Sequence, residues 1–186
     1  MNFSSTILEG LNVIEPQVHE DERGYFMEVF HRDKFREAGF DLNFVQENIS
    51  LSKRGVVRGL HFQWDKPLAK LIRIVRGSAL VVAVDIRKSS PTLGKWFGLE
   101  LSEENKKQLY VMPGFASGFS VISGEAAVNY NYTAVYNPAG ESNILWKDPD
   151  IGIEWPLNTE PILSPRDAEA ISFADWLKDP RSDLIH

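Results

Sequence analysis

The amino-acid sequence predicts an all-β domain, a sandwich or jelly roll with short peripheral helices. Short runs rich in β-branched and aromatic residues recur along the chain at intervals of roughly 8 to 12 residues. Glycine and proline fall between these runs in small clusters, as in sheet proteins with many turns. No internal repeat or linker interrupts the pattern, so we expect one domain over residues 1–186.

The first predicted elements are a helix and three strands. RDKFREAGF at 32–40 has the length of a short helix, and its glycine would end it. RGVVRGLHFQ at 54–63 is typical of a strand. KLIRIVRGSALVVAVDIR at 70–87 predicts two strands separated by a turn at Arg76, Gly77 and Ser78.

The next elements are two strands and a helical C-terminal segment. LGKWFGLEL at 93–101 and KQLYVMP at 107–113 are predicted strands, joined by the polar turn SEENKK. SPRDAEAISFADWL at 164–177 predicts a helix or a series of loose turns.

A tyrosine-rich strand is predicted at 125–138, EAAVNYNYTAVYNP. Its tyrosines Tyr130, Tyr132 and Tyr136 stand at even spacing. Because side chains alternate between the two faces of a strand, this spacing places all three on one face.

The composition excludes several classes of protein. The 43% of apolar residues can form a full core, and the absence of cysteine excludes disulfides and thiolate sites. A net charge of −6 disfavours binding to nucleic acid. The sequence has no secretory signal and no run long enough for a membrane span. We therefore expect a cytoplasmic protein that binds neither nucleic acid nor membrane.

His61 is the one histidine with a strand-like, basic neighbourhood. His19 and His31 lie in polar stretches and His186 is terminal. Two readings of His61 stay open, a hydrogen-bonded core histidine and a base with a pKa near neutrality.

The sequence predicts neither a metal nor an organic cofactor. Metal-binding jelly rolls present two histidines one residue apart, but the residue two positions after His61 is Gln63. Phosphate-binding glycine motifs and HExxH are absent. Ser117 in GFASG has the wrong spacing for a nucleophile elbow.

Six strings, in order along the chain, resemble the dTDP-4-dehydrorhamnose 3,5-epimerase family. They are DERGYF at 21–26, FVQENIS at 44–50, RGVVRGLHFQ at 54–63 with the following Lys70, VAVDIRKSSPTLGKW at 82–96, LSEENKKQLYVMPGFASGF at 101–119 and ILWKDPDIGIEWP at 144–156. The resemblance covers roughly residues 5 to 170.

The resemblance implies a cupin-type jelly roll that forms a homodimer, with an N-terminal strand exchanged between protomers. It implies epimerisation at C3 and C5 of dTDP-4-keto-6-deoxy-glucose to dTDP-4-keto-rhamnose, a step of dTDP-rhamnose and O-antigen biosynthesis, without metal or nicotinamide. Two alternatives remain: a related epimerase that inverts one carbon or acts on another nucleotide sugar, and a non-catalytic sugar-nucleotide binder.

The resemblance also assigns residues. It makes His61 the base with Asp167 as its carboxylate partner, Lys70 the group that stabilises the enolate oxygen, and Tyr130 the proton donor. Tyr136 falls on the position that stacks on thymine. The remaining substrate-binding positions are Arg23, Glu28, Gln46, Glu47, Asn48, Arg58, Ser117, Glu141 and Arg166.

Some of these assignments have competitors in the sequence. Asp85 in a predicted strand is an alternative partner for His61, and Tyr132 an alternative to Tyr130. Arg87 is a candidate for a simple solvated charge. The family string GFAHGF is GFASGF here, so Ser117 replaces a histidine. Ser117 either substitutes neutrally for the histidine or adapts the pocket to another sugar or to a single inversion.

Overall fold

A computed structural model describes residues 1–185. They form a nine-stranded antiparallel sheet and a separate two-stranded hairpin, β3–β4. The strands are β1 (Asn2–Ser5), β2 (Leu11–Glu15), β3 (Val18–Asp21), β4 (Gly24–Met27), β5 (Gln46–Lys53), β6 (Val57–Gln63), β7 (Lys70–Asp85), β8 (Trp96–Ser102), β9 (Gln108–Val111), β10 (Phe115–Tyr132) and β11 (Glu141–Asn143). The helices are α1 (Arg32–Glu37), α2 (Pro165–Ala168) and α3 (Phe173–Lys178), with 3-10 turns at Pro138–Gly140 and Pro180–Leu184.

Strands β7 and β10 pair along their whole length and divide the sheet into two halves. The first half of β7 lies between β9 and the end of β10, which also pairs with β5. The second half of β7 lies between β8 and the start of β10, which also pairs with β6. The register of the β7–β10 pair shifts where the halves meet. These pairings produce the cupin-like, mostly β architecture that the sequence predicts.

The prediction of two strands with a turn at residues 76–78 is wrong. Gly77 has a φ of 74°, but it stays in the ladder opposite Ala126. A glycine adopts this conformation without the strain of a side chain, so it marks an irregularity within a continuous strand.

The tyrosine strand is also longer and differently placed than predicted. It begins at Phe115 and ends at Tyr132, so Tyr136 lies beyond it and does not share a strand face with Tyr130. Gly118 lies inside the strand, although glycine in a sequence usually indicates a turn.

Three apolar clusters hold the halves and the helices together. The largest lies within the sheet and contains Ile72, Val81 and Phe119. In a second cluster Phe173 and Trp176 of α3 pack on one half, and in a third Phe35 of α1 packs on the other. The predicted helix at 32–40 is confirmed as α1, and the C-terminal segment is two short helices. None of the helices in residues 1–185 is both long and apolar enough to cross a bilayer.

Candidate active site

A cavity of about 190 Å³ opens between the halves of the sheet. Strands β5, β6, β7 and β10 provide most of its wall, and the loop after β10 and β11 provide its rim. Its predicted functional residues are His61, Lys70, Ser117, Tyr130, Asn48, Arg58, Tyr136 and Glu141, and Tyr132 joins them.

His61 of β6 is paired with a buried carboxylate. Its Nε2 lies 2.5 Å from Oδ1 of Asp167, which is 2% exposed. A carboxylate that is ionised only accepts, so Nε2–H donates and Nδ1 is left without a proton in the neutral ring. The histidine ring is partly exposed at the cavity wall. This arrangement suits a base, because the hydrogen bond to Asp167 fixes the tautomer of the ring.

Asp167 is held at the start of α2. Ser164 caps this helix: its Oγ accepts from the Asp167 N–H at 3.1 Å and donates to Oδ2 at 2.9 Å. Burial opposes the charge of Asp167, but the hydrogen bond and charge of His61, with Ser164 and the Gly59 backbone, outweigh burial and lower the pKa of Asp167. The carboxylate is therefore ionised at neutral pH.

Two glycines bring β6 and β10 close together beside His61. A Cβ on Gly59, which has a φ of 132°, would lie 2.6 Å from the Cα of Gly118, and a Cβ on Gly118 would lie 2.5 Å from the backbone oxygen of Arg58. Glycine at both positions lets the backbones approach without a clash. His61 and Ser117 become register partners as a result.

Lys70 begins β7 and reaches into the cavity. Its Nζ donates to the backbone oxygen of His61 at 3.0 Å and to Oγ of Ser117 at 2.8 Å. Burial lowers the pKa of Lys70 to about 8, although Glu141 opposes the shift. The amine is therefore largely protonated at neutral pH and places a positive charge in the cavity.

Tyr130 and Tyr132 project from the same face of β10. Their ring centroids are 6.1 Å apart, and the Tyr130 hydroxyl hydrogen-bonds Oγ of Ser50 at 3.3 Å. Burial raises the pKa of Tyr130 to about 12, and burial with the nearby Tyr130 raises the pKa of Tyr132. Both phenols keep their protons at neutral pH and can act as donors.

The rim of the cavity is polar and more exposed. Tyr136 donates its hydroxyl to Glu141 at 2.7 Å, and Arg166 forms a salt bridge with the same carboxylate. Gln46 accepts from the Tyr136 N–H at 2.8 Å and donates to Asn48 at 3.0 Å. These contacts connect the predicted binding residues of β5, β11 and α2 in one network.

Three predicted binding residues lie away from the cavity of their own chain. Arg23 and Glu28 sit in and after the β3–β4 hairpin, in salt bridges with Asp21 and Lys34. Glu47 is the third. It alternates with Asn48 along β5, so its side chain faces the outside of the sheet, where it accepts from Asn129 at 2.8 Å.

Asp85, the alternative partner for His61, belongs to another cluster. It is fully buried and accepts from Arg87, Ser90 and Thr92. Arg87 is therefore not a solvated charge, since its guanidinium is 12% exposed and ion-paired.

Three serines that support the site were not predicted. Ser50 contacts Tyr130, Ser52 accepts from Arg58 at 3.0 Å, and Ser164 holds Asp167. Ser164 had a sequence signal, because a serine three residues before an acidic residue is typical of a helix N-cap. The serines of β5 had none beyond their alternation with Ile49 and Leu51.

The described part of the chain, residues 1–185, contains no group of three or more His, Cys, Asp or Glu side chains placed to hold a metal ion. The titratable side chains of the cavity come together as a base, an ammonium and phenols. Such a set can remove a proton, stabilise an oxyanion and return a proton.

Comparison with known proteins gives concordant matches. The model of the dTDP-4-dehydrorhamnose 3,5-epimerase family matches residues 5–175. The dTDP-4-dehydrorhamnose 3,5-epimerase of Methanothermobacter thermautotrophicus is 53% identical over 155 residues, covering 83% of this chain and 84% of the relative.

Solved structures are similar over nearly the whole chain. The dTDP-6-deoxy-D-glucose-3,5-epimerase of Legionella pneumophila, in complex with dTDP-4-keto-L-rhamnose, gives a TM-score of 0.93 at 42% identity, covering 99% of this chain and 96% of that one. A 3'-monoepimerase of Streptomyces bikiniensis, in complex with dTDP-quinovose, gives a TM-score of 0.88 at 36% identity, covering 93% of this chain and 88% of that one.

Proposed function

The chain belongs to the dTDP-4-dehydrorhamnose 3,5-epimerase family, and from that premise we propose that it converts dTDP-4-keto-6-deoxy-glucose to dTDP-4-keto-rhamnose by inverting C3 and C5. One observation carries this proposal: His61, which is hydrogen-bonded to Asp167, lines a single cavity together with the Lys70 ammonium and the Tyr130 phenol. The absence of cysteine suits a reducing compartment, and we propose the cytoplasm.

Proton removal is assigned to His61. The C4 ketone acidifies the hydrogens on C3 and C5, and Nδ1 of His61 accepts one of them. The electron pair of the broken C–H bond moves to the C4 oxygen. Lys70 stabilises the resulting oxyanion, and Asp167 stabilises the imidazolium.

Proton return is assigned to Tyr130. Inversion requires that the new proton arrive on the face opposite the base, and the two groups approach the cavity from different halves of the sheet. The contact with Ser50 orients the Tyr130 hydroxyl. Solvent then takes the proton from His61 and restores the one on Tyr130 before the second carbon reacts.

The nucleotide is assigned to the rim. Tyr136 is 41% exposed there and offers a flat ring to thymine. Arg58 and Arg166 supply cations suited to a diphosphate. Their partners Ser52 and Glu141 hold both guanidinium groups in place.

We propose further that the protein is a homodimer in which each hairpin completes the partner's site. The β3–β4 hairpin pairs with no other strand of residues 1–185, and it exposes Tyr25 and Phe26. The edge strand β5 exposes Ile49 and Leu51 beside the cavity. Exposed apolar side chains on two such strands suit an interface between copies, which would carry Arg23 to the second cavity.

Subunit mixing tests the shared site. Arg23→Ala and His61→Ala proteins should each be inactive, and a refolded mixture should regain about a quarter of wild-type activity, because half of the dimers contain one intact site of two. Sedimentation analysis checks the dimer. A mixture no more active than its components would refute the shared site.

Deuterium labelling tests the reaction. In heavy water with dTDP-4-keto-6-deoxy-glucose and a 4-ketoreductase, we expect dTDP-rhamnose that carries deuterium at both C3 and C5. The likeness to a 3'-monoepimerase supports one second candidate, inversion at C3 alone. Label and inversion at one carbon would establish that candidate, and absence of label would refute catalysis on this substrate.

A further inference from the structure

We propose that Ser117 is a positioning residue for Lys70, a role that rests on the epimerase function proposed above. Ser117 lies in β10 and is 5% exposed. Its hydroxyl oxygen accepts from Nζ of Lys70 at 2.8 Å, the shorter of the two hydrogen bonds of that amine. The contact places Ser117 against the catalytic ammonium.

The hydrogen bonds of Lys70 fix the direction of its remaining donor. A protonated amine has three N–H groups. One is directed to the His61 backbone and one to Ser117, both on the wall formed by β6 and β10. The third is free to meet an oxyanion in the cavity. Without the Ser117 acceptor, the flexible lysine side chain has one anchor and no fixed direction.

The surroundings of Lys70 make this acceptor important. His61, Arg58 and the phenols of Tyr130, Tyr132 and Tyr136 line the same cavity. Glu141 is the one carboxylate among the residues that line it. Because burial disfavours the ammonium, each acceptor that touches it helps to keep it charged.

The structure supplies a matched control. Ser120 lies three residues further along β10, is fully buried, and its hydroxyl has no hydrogen-bond partner within residues 1–185. Ser120→Ala removes the same atom from the same strand without touching the cavity. A merely structural effect of losing a buried serine should appear in both variants.

Kinetics with the keto sugar are the first measurement. Ser117→Ala should lower kcat roughly 10- to 100-fold with little change in KM, because a displaced catalytic group acts on the transition state more than on binding. Ser117→Thr retains the hydroxyl and should recover most of the rate. Ser120→Ala should behave as wild type.

Titration of Lys70 is the second measurement, and it does not depend on turnover. The rate of acetylation of Lys70 by acetic anhydride, followed by peptide mass spectrometry across pH, reports the unprotonated amine. Wild type should titrate near the pKa of about 8, and Ser117→Ala about one pH unit lower. The alkaline limb of kcat should move with it, since the reaction needs the protonated form.

The outcomes separate this inference from the proposed function. Equal kcat and equal Lys70 titration in Ser117→Ala and Ser120→Ala would overturn the positioning role, and so would a fall in kcat without a shift in the titration. A titration shift in a protein that does not label the keto sugar would refute the epimerase proposal and leave the Ser117–Lys70 link standing.

Discussion

Two carboxylates, Asp85 and Asp167, are almost equally buried, but only Asp167 is placed to take part in proton transfer. Asp85 is 0% exposed and Asp167 is 2% exposed. Hydrogen bonds outweigh the effect of burial at both, so the pKa of each lies below its ordinary value. Burial and a shifted pKa therefore do not distinguish the two sites.

Their partners do distinguish them. Asp85 accepts from Arg87, Ser90 and Thr92, which do not change charge near neutral pH, and the cluster holds the segment between β7 and β8. Asp167 accepts from a histidine whose ring lies at the wall of a cavity. A buried carboxylate acquires a role in proton transfer when its partner can titrate and can reach a substrate.

The largest effect is expected from the histidine. His61→Ala should lower kcat by roughly 10²–10⁴-fold, the range usual for an acid–base group, in a protein that still folds, because Asp167 keeps its hydrogen bonds with Ser164 and the Gly59 backbone. Deuterium exchange into the substrate, measured beside thermal unfolding, checks both. A loss of less than about tenfold would contradict the role of His61 as the base.

The second effect is on stability and comes from Asp85. Asp85→Ala leaves the Arg87 guanidinium buried without its partner, which typically costs about 3–5 kcal/mol in the free energy of unfolding. Denaturant unfolding measures this loss. Activity per folded molecule should remain that of wild type, and a selective loss of kcat would show that Asp85 also serves the reaction.

A third, smaller effect separates Asp167 from Asp85. Asp167→Asn should lower kcat roughly 10²-fold, because the amide no longer fixes the tautomer of His61 or stabilises its charged form. It should destabilise the fold less than Asp85→Ala, since the His61 side chain that loses its partner is 29% exposed, whereas that of Arg87 is 12% exposed. Asp167→Asn should therefore have the larger effect on kcat, and Asp85→Ala the larger effect on the free energy of unfolding. If one variant had the larger effect on both quantities, the two carboxylates would not differ in role.

The sequence was informative about the strands and less so about their continuity. The predicted strands at 54–63, 93–101 and 107–113 are confirmed as β6, β8 and β9. They could be predicted because the residue types of a strand and the turns beside it can be read from neighbouring positions in the sequence. The join at Gly77 was missed because a glycine within a strand and a glycine in a turn have the same sequence signal. Only the tertiary pairing with β10 distinguishes them.

The site was predictable only where a resemblance supplied long-range information. His61 and Asp167 are 106 positions apart, and pattern alone left Asp85 as an equal candidate. The outward orientation of Glu47 follows from alternation along β5, once the strand is known to face a cavity on one side. The contact of Ser117 with Lys70 had no signal, because it joins residues 47 positions apart and depends on how the two halves of the sheet face each other across the cavity.

The smallest effect expected is the dependence of stability on acid at the two carboxylates. A carboxyl group whose pKa is lowered by folding contributes stability above its unfolded pKa and loses it as pH falls through the folded value. For Asp85 and Asp167 this loss should begin below about pH 4.

Acid should therefore reduce the destabilisation caused by substituting either carboxylate. Above about pH 5 both wild-type carboxyl groups are ionised, so Asp167→Asn and Asp85→Ala should each show their full loss of unfolding free energy. Below about pH 4 the wild type itself loses the stability that these carboxylates contribute, so the loss caused by each substitution should shrink. Urea unfolding of both variants and of wild type at about pH 8, 5 and 3 measures the two profiles. A loss for Asp167→Asn that does not shrink in acid would show that folding does not lower the pKa of Asp167, and the same result for Asp85→Ala would show it for Asp85.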